Sequence, residues 1–197
     1  MRGFFLFLET QTSGMYQATI VTTQDELLQI HRLNKLNYKH QLSAEEKDRE
    51  GFVSWLYPIE LLEKMQELAP NVIVKDGDKV VGYALVAFRE AAPFHPDLQT
   101  MFTHLDQLIY KGQSLADLSF YVMGQVCIDQ AYRGKGIFHQ LYQHHKELYS
   151  PRFDLLITEI STSNIRSQRA HEKVGFTTFF TYPDAMDEWN VVVWDWV

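Results

Sequence analysis

The chain has 197 residues, 46% of them apolar and 22% charged, which is long enough and apolar enough to bury one sizeable core. Its 18 basic against 25 acidic side chains leave a formal charge of −7 with no basic block, which argues against nucleic acid or an anionic membrane surface as a partner and slightly favours a cationic small substrate. A single cysteine, Cys127, excludes an internal disulfide and every Cys-x-x-Cys pattern, and points to a reducing, cytoplasmic compartment.

Residues 1–14 contain only a short apolar run, Phe4 to Leu8, too short for a signal-peptide core or a membrane span, and read as an N-terminal extension ahead of a single domain over 15–197. Residues 16–23 have strand composition. Thr23 with Glu26 forms a capping box that opens a helix through residue 39, and Ser43 with Glu46 opens a second, short charged one. "GFVSWLYP" (51–58) brings Phe52, Trp55 and Tyr57 together before a helical period resumes at Ile59 and stops ahead of Pro70.

Residues 71–88 are a hairpin of two β-branched runs about Asp76-Gly77-Asp78. The stretch 89–118 is a helical insertion, with Leu98, Met101, Phe102, Leu105, Leu108 and Ile109 on one face and Pro96 and Asp97 at its start. That apolar face needs cover, either from the rest of the domain, as a lid, or from a second copy, as a homodimer.

Residues 119–128 read as a buried strand. A helix from Ile137 to Ser150 follows, with Ile137, Phe138, Leu141, Tyr142, Leu148 and Tyr149 as its apolar face and Pro151 beyond it. "FDLLITEI" is the next strand, "STSNIRSQRAHEK" a helix ended by Gly175, and two closing strands cover 176–183 and 188–197. Two strand-helix-strand units with hairpins outside them make an α/β (α+β) domain with a mixed central sheet.

Between the strand and helix stands "YRGKGIF" (132–138). Glycines cost a helix about 1 kcal/mol each relative to alanine, but at its start they leave the first amide N–H groups open to an anion at the positive end of the helix dipole. Arg133 and Lys135 add two cations, which suits a phosphate or pyrophosphate; a tight turn without a ligand uses glycines in the same way. A Walker loop fails because Gly134-Lys135 is followed by Gly136; a dinucleotide fingerprint matches at Gly134 and Gly136 but has His139 where its third glycine belongs and comes two thirds of the way along the chain, which leaves a dinucleotide protein as a minor rival reading.

Taken together, "VCIDQAYRGKGIFHQLY" (126–142) and "TEISTSNIRSQRAHEKVGF" (158–176) resemble the two signature segments of the GNAT superfamily of acyl-CoA-dependent N-acyltransferases. The resemblance implies a sheet in which two parallel strands splay and acetyl-CoA, the co-substrate, lies in the gap. Its pantetheine would add to the strand at Val126, Cys127 and Ile128, and its pyrophosphate would rest on Arg133, Gly134, Lys135, Gly136, Ile137 and Phe138. Phe138 stands where the family has a small residue, so its side chain should turn into the core. Asn164 would bond pantetheine or cap its helix, and Arg166 and Arg169 would meet the 3′-phosphate.

The resemblance also implies direct attack of an amine on the thioester. His171 replaces the family's tyrosine, as cofactor contact and proton donor to the departing thiolate. The strand 119–128 has no acid, so Glu159 is the nearest carboxylate for the general base, with water relayed through backbone carbonyls as the alternative. Cys127, mid-strand with no histidine beside it in sequence, is no nucleophile candidate, and no His-Glu-x-x-His or other metal spacing occurs. The implied function is acetyl transfer to a primary amine, on a small molecule or a peptide; a non-catalytic acyl-CoA-binding sensor is the other reading.

Overall fold

The protein is described here by a computed structural model covering residues 16–197; the expected 1–14 extension lies outside the described residues. The chain runs β1 (Ala18–Ile20), α1 (Gln24–Leu36), α2 (Ala44–Glu50), α3 (Ile59–Leu68), β2 (Val72–Asp76), β3 (Lys79–Ala87), α4 (Pro96–Leu105), β4 (Ile109–Tyr110), β5 (Gln113–Ser114) and β6 (Phe120–Ile128). It continues through α5 (Ile137–Tyr149), β7 (Leu155–Ser161), α6 (Ile165–Val174), β8 (Thr177–Pro183) and β9 (Glu188–Asp195). Among the described residues, seven strands form one mixed sheet in the order β1-β2-β3-β6-β7-β9-β8, in which β6 and β7 are the parallel pair. No helix among them is long and apolar enough to cross a membrane.

Local signals account for most boundaries. Both capping boxes form: Glu26 N–H donates to Thr23 Oγ1 and Thr23 N–H to Glu26 Oε2, and Ser43 and Glu46 make the same reciprocal pair. Gly77 takes φ +58 in the β2–β3 turn, as the hairpin requires.

The sheet is buried on both faces, which is why its central strands are near-continuous apolar runs. On one face Leu27, Ile30 and Leu33 of α1, Leu61, Leu62 and Met65 of α3, and Leu98, Phe102 and Leu105 of α4 pack on Tyr83, Leu85, Val122, Ile157 and Val191. On the other, Ile137, Leu141, Tyr142 and Tyr149 of α5 pack on Val72, Val74, Tyr121, Met123 and Leu156.

Two expectations change. The helix of the 89–118 insertion ends at Leu105, because Lys111 (φ 48) and Gly112 (φ 83) form a two-residue hairpin turn between β4 and β5, and Ile109 is exposed rather than on the buried face. Leu98, Phe102, Leu105, Leu108 and Leu115 are all buried against the domain's own core, so this face needs no second copy to cover it. In α5, Leu148 is exposed and His145 takes the buried place.

His145 is fully buried, its Nε2–H donating to Ala84 O (3.2 Å) and its Nδ1 accepting from the Tyr121 hydroxyl (3.0 Å). Burial pushes its pKa from 6.5 down to about 4, and His171 on α6 is depressed to about 4 for the same reason. The folded state therefore refuses protons that the unfolded chain accepts, and stability present above 6.5 is lost as pH falls toward 4. Between about pH 6.5 and 4.5 this costs on the order of 2 kcal/mol per histidine. Glu159 acts oppositely: its raised pKa of about 7 means that the folded state holds a proton in this window, and this offsets part of the loss. Urea melts should show a lower stability at about pH 4.5 than at about pH 6.5, with a steeper drop in Glu159→Gln; equal stability at both pH values would rule out two neutral buried imidazoles.

Candidate active site

The site begins where β6 and β7 part. They pair only through Phe120–Leu155, Tyr121–Leu156 and Val122–Ile157. Beyond this, β6 stays on β3 as far as Ile128 opposite Gly82, while β7 stays on β9 as far as Ser161 opposite Trp189, so a gap opens between them. A bulge in β6 sets Gly124 and Gln125 against the single Leu85 of β3, between the Val86–Met123 and Ala84–Val126 pairs, and turns the strand away.

The freed polar groups find partners. Thr158 Oγ1 donates to Met123 O (2.9 Å) and the Tyr57 hydroxyl to Gly124 O (3.1 Å). A Cβ at residue 124 would lie 2.7 Å from that hydroxyl, which explains the glycine. Gln125 accepts from Asn34 Nδ2 (2.7 Å) and the Tyr83 hydroxyl (2.6 Å) and donates to Trp55 O (2.8 Å). It is thus spent on holding residue 55 against the strand, not on chemistry.

One end of the gap opens into a groove of about 710 Å³ lined by Val126, Cys127, Ile128, Gly134, Gly136, Phe138, Asn164, Arg169 and Lys173, with α2 on its far side. Gly134 and Gly136 have φ +76 and +78, and a Cβ at either would meet nothing within 4 Å. Gly136 caps α5 with no side-chain bond, and the amides of residues 134–139 have no acceptor among the described residues. The result is a row of bare donors at a helix N-terminus. Phe138 packs against the core, with its ring centroid 4.9 Å from that of Tyr142 and 5.1 Å from that of His171, and is partly buried at the edge of the groove.

The cations are arranged differently from the sequence expectation. Arg133 donates through Nε to Ile128 O (3.1 Å), through Nη1 to Glu50 (2.6 Å) and through Nη2 to Asn37 Oδ1 (2.7 Å), which spends its guanidinium on tying α1 and α2 to the end of β6. Glu50 also takes Arg49 (3.0 Å) and lies 3.7 Å from Arg166, whose Nη1 donates to Arg49 O (2.6 Å). Arg133 chiefly holds the Glu50 carboxyl low. Lys135 lies over the Tyr132 ring (4.6 Å), while Arg169 and Lys173 make no ion pair among the described residues and line the groove. Asn164 caps α6 through Ser167 N–H (3.2 Å) and donates to Phe52 O (2.9 Å), so both ends of its amide have protein partners. The Glu50 hub had no sequence signal; Lys173 stood in the quoted motif.

At the other end of the gap is a cavity of about 410 Å³. Phe52, Trp55 and Tyr57 line it, as do Met101 and His104 of α4, Tyr182 and Trp189 of the last hairpin, and Glu159 and His171. Phe52, Val53, Val126, Asn164 and Ser167 border both spaces, so the two meet at the splay. The insertion, through α4, is therefore a wall of this cavity.

Glu159 projects to this side. Burial pushes its pKa up to about 7, against the Tyr182 hydroxyl that donates to Oε1 (2.9 Å). His171 is committed: Nδ1–H donates to Ser167 O (2.8 Å), and Nε2 accepts from the Tyr142 hydroxyl (2.5 Å). Its ring is neutral, with its one N–H turned to its own helix. The Cys127 thiol is buried and pushed up to about 12 by desolvation, which keeps it a thiol at neutral pH.

Comparison with known proteins agrees with this geometry. No curated protein matches the chain in sequence. Solved structures of similar fold include the ribosomal-protein-S18-alanine N-acetyltransferase from Escherichia coli and yncA from Salmonella typhimurium with its cofactor acetyl-CoA. Each is 14% identical, with a TM-score of 0.59 over 92% of this chain and 94% of the other. Arabidopsis thaliana Naa50 in complex with the bisubstrate analogue CoA-Ac-MVNAL is 14% identical, with a TM-score of 0.57 over 91% of this chain and 98% of the other. The sequence model of the GNAT acetyltransferase family matches residues 27–176, which run from within the first helix through the splayed pair and the glycine loop, and the chain belongs to that family.

Proposed function

We propose that the protein transfers the acetyl group of acetyl-CoA to a primary amine by direct attack. The observation that carries this reading is the parting of β6 and β7, which joins a groove ending on bare amides to a cavity holding a carboxylate that titrates near neutrality.

Pantetheine lies along the β7-facing edge of β6 at Val126, Cys127 and Ile128, as an added strand would. The pyrophosphate meets the amides of Gly134 to Phe138, with Lys135, Arg169 and Lys173 as the cations at hand. Arg133 and Asn164 contribute by shaping the groove, since their side chains are occupied by protein partners.

The acceptor enters from the aromatic cavity, where the acidic side chains Glu159, Asp97 and Asp184 favour an amine. An alkylammonium of ordinary pKa about 10 must lose a proton before it attacks, and a carboxylate near 7 is a competent base at neutral pH. Glu159 takes that first proton and passes it to solvent; the neutral nitrogen then bonds to the thioester carbon, the carbon–sulfur bond breaks, and the nitrogen's second proton leaves with the thiolate as coenzyme A thiol. A β6 amide in the 126–128 stretch polarises the thioester oxygen. His171 serves as a packed wall in this scheme, because its neutral ring has no proton directed at the sulfur.

The direct test is release of coenzyme A thiol from acetyl-CoA across a panel of small and peptide amines; tight binding with no turnover on any amine would instead favour the sensor reading. Gly136→Val places a β-branched residue at φ +78 and covers the bare amides. It should weaken acetyl-CoA binding at least tenfold by calorimetry, on the order of 1.4 kcal/mol, with the fold retained by circular dichroism. Unchanged affinity would contradict the clamp. Glu159→Gln should lower kcat/KM by about 10²-fold or more and abolish the rise in rate with pH centred near 7, because the base acts only when deprotonated. A variant that keeps both the rate and the limb would remove Glu159 from the mechanism.

A further inference from the structure

We infer that Tyr182 is the positioning residue for Glu159, holding one carboxylate oxygen so that the other faces the acceptor, and that a single extra residue in β8 is what brings it there. This rests on the reading of Glu159 as the base.

The geometry is local and specific. The Tyr182 hydroxyl donates to Glu159 Oε1 at 2.9 Å, the one hydrogen bond of that carboxyl among the described residues, and no Lys or Arg pairs with it. β8 pairs with β9 as Thr177–Val193 and Thr178–Val192, then skips to Phe180–Val191, Thr181–Asn190 and Tyr182–Trp189. Without the bulge at Phe179, residue 182 would fall one place along β9 and its side chain would point to the opposite face. With it, Tyr182 shares the face of Val191 and Glu159, which are themselves cross-strand neighbours of one another. His104 of α4 braces the phenol edge-on, with ring centroids 4.0 Å apart, so the insertion supports the same contact.

The other titratable groups around Glu159 do not substitute. Tyr57 is buried with its hydroxyl donating to Gly124 O. Asp184 accepts from the amides of Met186 and Asp187 and acts only by raising the Glu159 pKa. Burial holds His104 on its neutral side, and His171 is bonded to Tyr142 and Ser167. Burial alone would carry the Glu159 carboxyl higher, and the phenol is the group that opposes it.

Tyr182→Phe removes only the hydroxyl and keeps the ring against His104. With ¹³C-carboxyl-labelled glutamate, the resonance missing from Glu159→Gln reports Glu159 directly, with no acceptor needed. Its midpoint should rise by about one pH unit in Tyr182→Phe. The acidic limb of kcat/KM should move up in parallel, so that activity falls several-fold at about pH 6.5 and recovers on the alkaline side. A midpoint unchanged in Tyr182→Phe, with Glu159→Gln inactive, overturns the inference and leaves the base standing. A midpoint that moves while Glu159→Gln stays fully active supports the coupling and overturns the base.

Discussion

The rest of the site depends on the sheet failing to pair. A parallel ladder that continued past Val122 and Ile157 would leave no edge for a ligand and no opening between the two faces of the sheet. Buried backbone groups without partners cost on the order of 1–3 kcal/mol each, so a gap in the middle of a sheet persists only where other groups satisfy its rim. Thr158 and Tyr57 do this at the inner end, on the carbonyls of Met123 and Gly124, and a ligand's amides suit the remainder.

The same requirement explains where polar side chains were placed. Asn34, Tyr83, Gln125 and the Trp55 carbonyl form one buried network across α1, β3, β6 and the 51–58 segment, which fixes the aromatic wall relative to the bulge. On the groove side, Glu50 gathers Arg133, Arg49 and Arg166, so the α2 segment is held to the loop that carries the bare amides. Arg133 and Arg166, which look like ligand contacts in the sequence, are structural here, and the donors left over are main-chain amides with Arg169 and Lys173 at the rim. A pyrophosphate bound this way is read by shape and dipole as much as by side-chain charge.

The two sides of the gap also differ chemically. The groove exposes backbone donors and lysine and arginine at its rim, which suits an anionic ligand. The cavity is walled by Trp55, Tyr57, Met101, Tyr182 and Trp189 with Glu159 inside, an aromatic and acidic lining that suits a cationic group. Raising a carboxyl toward neutrality needs burial, and keeping it ionisable needs a donor. Glu159 has both, from β7 and β8 respectively.

How much of this was legible depended on range. The capping boxes at Thr23 and Ser43, the Gly77 turn, the strand 119–128 and the glycine loop are set by neighbours within a few residues, and the chain by itself determined them, the mixed α/β class and the family resemblance with them. The Lys111-Gly112 hairpin was also written locally, but Ile109 continued the apolar period of α4 and masked it. What only the tertiary structure decided are the partners that meet across many residues. Arg133 finds Glu50, His171 finds Tyr142, the insertion finds the domain's own core, and one extra residue in β8 turns Tyr182 toward Glu159. Residue type says that a charge or a ring needs a partner; strand register and burial choose it, because a shift of one position on a pleated sheet sends a side chain to the other face.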